Sequence, residues 1–152
     1  MDTSDKVFSK EELEKEMENF TGKIKQIPPM YSALKVNGQK LYDLARKGIE
    51  VERKKREVTI FSFEILDFDF PKARFKITCS KGTYIRTLID DLGEKLGSFA
   101  YVNSLTRSKV GDFYIEDAIN SKDLLEMSKD EILNKIMPVD YALKAYPNIV
   151  LD

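Results

Sequence analysis

From Arg56 to Thr78 the chain follows the pattern of two neighbouring β-strands. Val58, Ile60, Phe61, Phe63, Ile65, Phe68 and Phe70 come first; after Pro71-Lys72, Phe75, Ile77 and Cys79 alternate with Lys76, Thr78 and Ser80. Alternation of this kind puts one set of side chains on one face of a sheet, which predicts two antiparallel strands turning at Pro71-Lys72. The period then changes. In CSKGTYIRTLIDDLGEKLG, which begins at Cys79, the residues Ile85, Leu88, Ile89, Leu92 and Leu96 fall at i, i+3, i+4, i+7 and i+11. That is one continuous apolar stripe on a helix, with Gly97 as its C-terminal stop. A strand pair followed by a helix that must bury a stripe restricts the chain to folds in which helices lie on a sheet.

The flanking segments agree with this. Ser9 and Glu12 match a capping box, and Leu13, Met17 and Phe20 give SKEELEKEMENF one apolar stripe. Pro28-Pro29 forbids helix and favours an extended surface path. Asn37-Gly38 between Val36 and Gln39 signals a short hairpin, running into a helix over Leu41 to Lys47 with Gly48 as its cap. SFAYVNSLTRSKVGDFYI reads as a further strand pair broken near Gly111, and NSKDLLEMSKDEILNKIM as short helices capped at Ser121 and Ser128. PVDYALKAYPNIVLD is expected to finish in extended, partly apolar residues.

The 152 residues, 42% of them hydrophobic, are enough for one compact domain with a real core. No apolar run approaches the roughly 18 residues of a membrane span, and the first residues are polar, so a soluble, cytoplasmic protein is expected. Cys79 is the single cysteine and there is no histidine, which leaves no internal disulfide, no plausible zinc site and no imidazole acid or base. Catalysis would have to use carboxylates, Tyr, Lys, Arg or hydroxyls.

Charge is segregated beneath a formal net charge of -1. Residues 1–20 carry 3 Lys/Arg against 7 Asp/Glu, 21–60 carry 10 against 4, 61–110 carry 8 against 6, and 111–152 carry 4 against 9. A basic middle that also holds Tyr31 and Tyr42 suits a polyanion, because Lys and Arg that neutralise phosphates supply most non-specific nucleic-acid affinity. A solvated charged face is the plainer alternative.

Arg86 poses a sharper question. With Thr83 as the expected N-cap, it falls at about the third helical position, where the positive end of the macrodipole disfavours a cation by roughly 0.3–1 kcal/mol. Asp90, one turn on, could pair with it for about 0.2–0.5 kcal/mol. Alternatively the free N–H groups and the guanidinium form an anion site, with Tyr84 offering a surface on which a base could stack.

CSKGTYIRTLIDDLGEKLG, together with IPPMYSALKVNGQKLYDLARKGIEV upstream, resembles the catalytic domain of the TruB-type tRNA pseudouridine synthases, from about Met1 to Ile119. The resemblance implies an isomerase that detaches the T-loop uridine of tRNA from its ribose, turns it and rejoins it through carbon, with no cofactor and no metal. It implies that Arg86 partners a nucleophilic aspartate, that Tyr84 lines the uridine pocket and that Leu105 in VNSLTRS packs against the flipped nucleotide. RNA contacts are expected at Lys81, Lys35, Lys40, Arg46 and Arg107, with Lys47, Lys109 and Tyr31 as further candidates. The family's Gly-x-Leu-Asp-Pro motif, which holds the nucleophile, does not occur in these residues. MDTSD resembles a segment that follows that motif, so a fragment inactive on its own is expected. Asp90 and Asp91 point about 100° apart, with Asp91 expected on the solvated side, and neither is expected to substitute for the nucleophile. Asp67 and Asp69 read as surface residues and Cys79 as a buried, inert strand residue.

The fold expected is therefore α+β, with a mixed, mostly antiparallel sheet and packed helices. Residues 1–145 would form the central and C-terminal part of the catalytic domain. Residues 146–152 would start a linker to a C-terminal PUA domain. The partner expected is the T-arm stem-loop of tRNA, bound by a monomer. An RNA-binding adaptor without catalysis is the alternative, and a structural domain without a nucleic-acid role is a weaker third reading.

Overall fold

A computed structural model describes residues 5–143. The alternating stretch forms β4 (Arg56–Asp69), a strand of 14 residues that pairs on one side with β1 (Gly22–Gln26) and on the other with β5 (Lys72–Cys79), giving the order β1-β4-β5. Every strand pairing among the described residues is antiparallel.

β4 is not a regular strand, and its sequence says why. Val58 and Ile60 are buried, so strict alternation would next turn Ser62 and Glu64 inward. The register shifts between Ile60 and Ser62 and again between Ile65 and Asp67. Each shift inserts one extra residue, Phe61 and then Leu66, so that Phe63, Ile65 and Phe68 all pack on the core. A one-residue slip exchanges the faces of a strand, and a bulge confines that slip to one point. The inserted residues remain outside: Phe61 is 63% and Leu66 53% exposed. The partner β5 needs no such device, because Phe75, Ile77 and Cys79 already alternate.

The outer face of this sheet is a ladder of opposite charges. Glu64 faces Lys76, Asp67 faces Arg74, Asp69 faces Lys72, and Glu57 faces Lys25. These are neighbours by register; the ion pair formed on this face among the described residues is Lys23 with Glu57 at 3.5 Å, an exposed contact that contributes little. Asp67 and Asp69 thus have the surface role expected of them.

The other face carries helices. α1 (Lys10–Glu18) has the anticipated capping box, with Ser9 and Glu12 bonded reciprocally. Its Leu13 and Met17, with Phe20, join Ile60 and the α3 (Ile85–Lys95) stripe of Leu88, Leu92 and Leu96 in one buried cluster. Burying such side chains stabilises by about 1.5–3 kcal/mol each. Asn37 and Gly38, at φ 51° and 80°, make the tight turn between β2 (Lys35–Val36) and β3 (Gln39–Lys40), and α2 (Leu41–Arg46) follows directly.

The chain divides into two compact units, 1–103 and 104–152. In the second, β6 (Lys109–Val110) pairs with β7 (Phe113–Tyr114), a 3-10 turn spans Ile115–Asp117, and α4 (Ser121–Glu126) and α5 (Lys129–Lys135) precede another 3-10 turn, Val139–Leu143. None of its described residues is fully buried.

Four local expectations are corrected. Thr83 does not cap α3; Tyr84 holds that position, and the Thr83 hydroxyl donates to the Ser80 carbonyl at 2.9 Å. Asn120 rather than Ser121 caps α4, since its carbonyl oxygen reaches the Lys122 N–H at 2.9 Å and Ser121 is already helical; Ser128 does cap α5. Most of Ser98 to Ser108 is irregular, and the strand pair there shrinks to two residues a side around Gly111. Val139–Leu143 is helical rather than extended, and the rest of that expected tail lies outside the described residues.

Gly93 is buried on α3, where an added Cβ would stand 2.7 Å from both Cβ and the backbone nitrogen of Ala100. In an open helix Gly→Ala stabilises by about 1 kcal/mol. Here the sign should reverse: Gly93→Ala is expected to destabilise by about 1–3 kcal/mol in urea unfolding, because the obstruction includes main chain.

Candidate active site

The site begins at the turn that leaves β5. Ser80 is bound to β4 twice, its N–H donating to the Thr59 carbonyl at 2.8 Å and its hydroxyl accepting from the Thr59 N–H at 2.9 Å. Gly82, at φ +83°, lets the chain reverse, and Lys81 stands exposed on the bend. Tyr84 then caps α3 without a side-chain hydrogen bond of its own.

Gln26, at the end of β1, supplies what that cap lacks. Its Oε1 accepts from the Tyr84 N–H at 2.9 Å and its Nε2 donates to the Tyr84 carbonyl at 3.0 Å. The side chain is 1% exposed. Gln26 was not singled out from the sequence, although a signal existed: it shares the inward parity of Ile24, between the outward Lys23 and Lys25.

Arg86 is the second residue of α3, one turn position earlier than expected, and its side chain is exposed. None of the ion pairs among the described residues includes it, so Asp90 does not neutralise it. Its Nη2 instead donates to the Tyr31 carbonyl at 2.8 Å, across 55 residues of sequence. A carbonyl offsets the dipole penalty but leaves the positive charge in place, and a guanidinium has further N–H groups to offer. Tyr84 is half-buried beside it in the chain, and Tyr31 is 58% exposed.

A cationic group surrounds the hairpin. Lys35 lies directly opposite Lys40, an arrangement that like-charge repulsion disfavours. Lys40 Nζ is 5.4 Å and the Arg46 guanidinium 5.5 Å from the centroid of the Tyr42 ring. The unit is tied to the segment that carries Tyr31, since the Tyr42 N–H donates to the Ser32 carbonyl at 3.1 Å and the Leu41 N–H to the Leu34 carbonyl at 2.7 Å. Lys47 is exposed nearby in sequence. The first unit thus holds Lys35, Lys40, Arg46, Lys81, Tyr84 and Arg86, whereas Leu105, 60% exposed, and Arg107 belong to the second. Lys109 also belongs there. Its Nζ donates to the Tyr114 hydroxyl at 2.7 Å, which raises the lysine pKa.

Asp91, expected on the solvated side, does not lie there. Asp90 is exposed and Asp91 half-buried, because Asp91 lies nearer the margin of the Leu88–Leu92 stripe. Burial, then the charges of Asp90 and Glu94, push the Asp91 pKa up. Cys79 is half-buried against the core rather than fully enclosed. Among the described residues no three His, Cys, Asp or Glu side chains come together to hold a metal, and no helix is long and apolar enough to cross a membrane.

Residues 1–85 match the family model for the N-terminal domain of TruB family pseudouridylate synthase, and residues 86–144 match the model for the tRNA pseudouridylate synthase B C-terminal domain. The chain belongs to the TruB family. The two TruB models meet between Ile85 and Arg86, at the start of α3, whereas the spatial units divide at Asn103. Among curated TruB relatives, the tRNA pseudouridine synthase B of Clostridium kluyveri is 47% identical over 145 residues, covering 95% of this chain and 49% of the relative. That of Clostridium tetani is 46% identical, covering 99% and 54%, and that of Staphylococcus aureus 45%, covering 93% and 48%. The chain therefore spans about half the length of these relatives. A chain in the crystal structure of a Cbf5-Nop10-Gar1 complex superposes with TM-score 0.72 at 25% identity, over 90% of this chain and 39% of that one. The α+β fold with an antiparallel sheet is thus shared with a solved neighbour.

The half-buried Asp91 gives a titration test. Its folded-state pKa is raised, so the native state binds the proton more tightly than the unfolded state, and stability is lost as pH rises through the folded value. Asp91→Asn is expected to raise Tm at pH 7, with the gain disappearing once pH falls below the usual carboxylate range.

Proposed function

We propose that this chain forms part of a tRNA pseudouridine synthase acting on the T-loop uridine, with Arg86 and Tyr84 in its uridine site. The reaction is an isomerisation: the bond from C1′ to N1 of uracil breaks, a bond from C1′ to C5 forms, N1 gains a proton and C5 gives one up. No electrons are transferred, so no redox partner is required. A carboxylate near C1′ needs a cation to keep it ionised and aimed, and Arg86 has that role. Tyr84 lines the pocket for a base taken out of its stack, and Leu105 packs against the flipped nucleotide. Lys35, Lys40, Arg46, Lys81 and Arg107 contact phosphates.

The observation that carries this reading is Arg86 itself: an exposed guanidinium in the first turn of α3, held by a carbonyl and paired with no carboxylate among the described residues. The unfavourable juxtaposition of Lys35 and Lys40 supports a polyanionic partner, because phosphate relieves the repulsion. The T-arm is the RNA element proposed, the bound form is a monomer, and the compartment is the cytoplasm. Residues 1–145 form the central and C-terminal part of the catalytic domain, with 146–152 leading toward a PUA domain. The nucleophilic aspartate lies in the Gly-x-Leu-Asp-Pro motif, which is not among these 152 residues.

Two measurements test the reading. Binding of a labelled T-arm stem-loop by the 152-residue chain should weaken with salt, and Lys35→Ala and Lys40→Ala should each reduce the slope of log K against log salt by about 0.7–0.9. Absence of binding at low salt would sink the RNA reading. Release of tritium from [5-³H]uridine in the same stem-loop should stay at background; release abolished by Arg86→Ala would show that the chain supplies its own nucleophile.

A further inference from the structure

Gln26 is a nearly fully buried polar side chain that holds the Tyr84 peptide at the start of α3. Its amide uses one acceptor and one donor on a single residue, the N–H and the carbonyl of Tyr84. Because an N–H can only donate and a carbonyl can only accept, the orientation of the amide is fixed by its partners. From Gln26 the chain runs through the stiff Pro28-Pro29 step to Tyr31. The Arg53 Nη1 holds the Pro28 carbonyl on the way at 3.2 Å, and the Tyr31 carbonyl takes the guanidinium of Arg86 at 2.8 Å. Two short segments, 26–31 and 84–86, are therefore joined at both ends into a closed frame.

We propose that Gln26 is a positioning residue for Arg86, which it sets in place through the Tyr84 peptide. The proposal rests on the reading of Arg86 given above and adds to it the residue that aims the guanidinium. Neither leucine nor glutamate can replace the amide: leucine offers no hydrogen bond, and a carboxylate faces the Tyr84 carbonyl with an acceptor where a donor is needed. A protonated carboxyl restores one acceptor and one donor. Burial raises the pKa of a carboxyl at position 26, and Arg56, opposite it in register, with Arg53 and Arg86 on the same frame, opposes that rise without changing the sign of the effect.

The test uses the ¹⁵N-labelled 152-residue chain without RNA, as wild type, Gln26→Leu and Gln26→Glu. In both variants at pH 7 the Tyr84 and Leu88 amides should exchange about tenfold or more faster while Leu92 and Leu96 change less than about twofold. The slowly exchanging Arg86 guanidinium signal should be lost with them. In Gln26→Glu both effects should reverse on acidification, after correction for intrinsic exchange, and in Gln26→Leu they should not. Uniform loss of protection along α3, or release of Tyr84 with Arg86 unchanged, overturns the proposal. So does unfolding of both variants at every pH, which would make Gln26 a residue of the fold alone. Since RNA is absent throughout, failure of T-arm binding would count against the proposed function and not against this result.

Discussion

One side-chain amide, bonded to the N–H and the carbonyl of a single residue, joins the end of β1 to the start of α3. β1 and β5 lie on opposite sides of β4, so the sheet's own ladder does not connect the end of β1 with the turn that leads into α3. Gln26 makes that connection across 58 residues, buried where an unpaired amide would cost about 1–3 kcal/mol. The Pro28-Pro29 segment, held also by Arg53, the start of α3 and the bond from Arg86 to Tyr31 lie in the frame that this amide closes.

Arg86 shows how magnitudes decide between readings of a single residue. The macrodipole opposes a cation at this position by about 0.3–1 kcal/mol, and a pair with Asp90 would have returned about 0.2–0.5 kcal/mol. A hydrogen bond from a charged donor contributes roughly 1.5–3 kcal/mol where it is shielded, and the exposure of Arg86 brings its bond to the Tyr31 carbonyl below that, to the same order as the dipole term it offsets. Because the acceptor is neutral, the helix start keeps a formal positive charge, and this distinguishes a structural tie from a neutralised ion pair.

The elements that were legible in the sequence are those set by short-range rules. The capping box at Ser9, the Asn37-Gly38 turn, the stripe from Leu88 to Leu96 and the turn after β4 each follow from neighbours within a few residues. Most of what stayed hidden depended on partners far along the chain. Thr83 has a capping hydroxyl, yet the Ser80 carbonyl claims it and Gln26 serves Tyr84 instead. Asp91 could not be assigned its half-buried side without knowing how α3 sits on its surroundings. In β4 the apolar residues change parity after Ile60 and again after Ile65; that change was visible, but only the register against β5 identifies it as two bulges. For the candidate site, Arg86 and Tyr84 stood out by type and place, whereas Gln26 looked like an ordinary strand residue.

The ladder on the outer face of the sheet has a consequence for how a charged partner first meets this unit. Acid stands opposite base at four cross-strand positions there, so the opposite charges offset one another at a distance, while Lys35 and Lys40 at the hairpin face each other. The field at the hairpin therefore reaches farther into solvent than the field at this face of the sheet, where charges of both signs are interspersed.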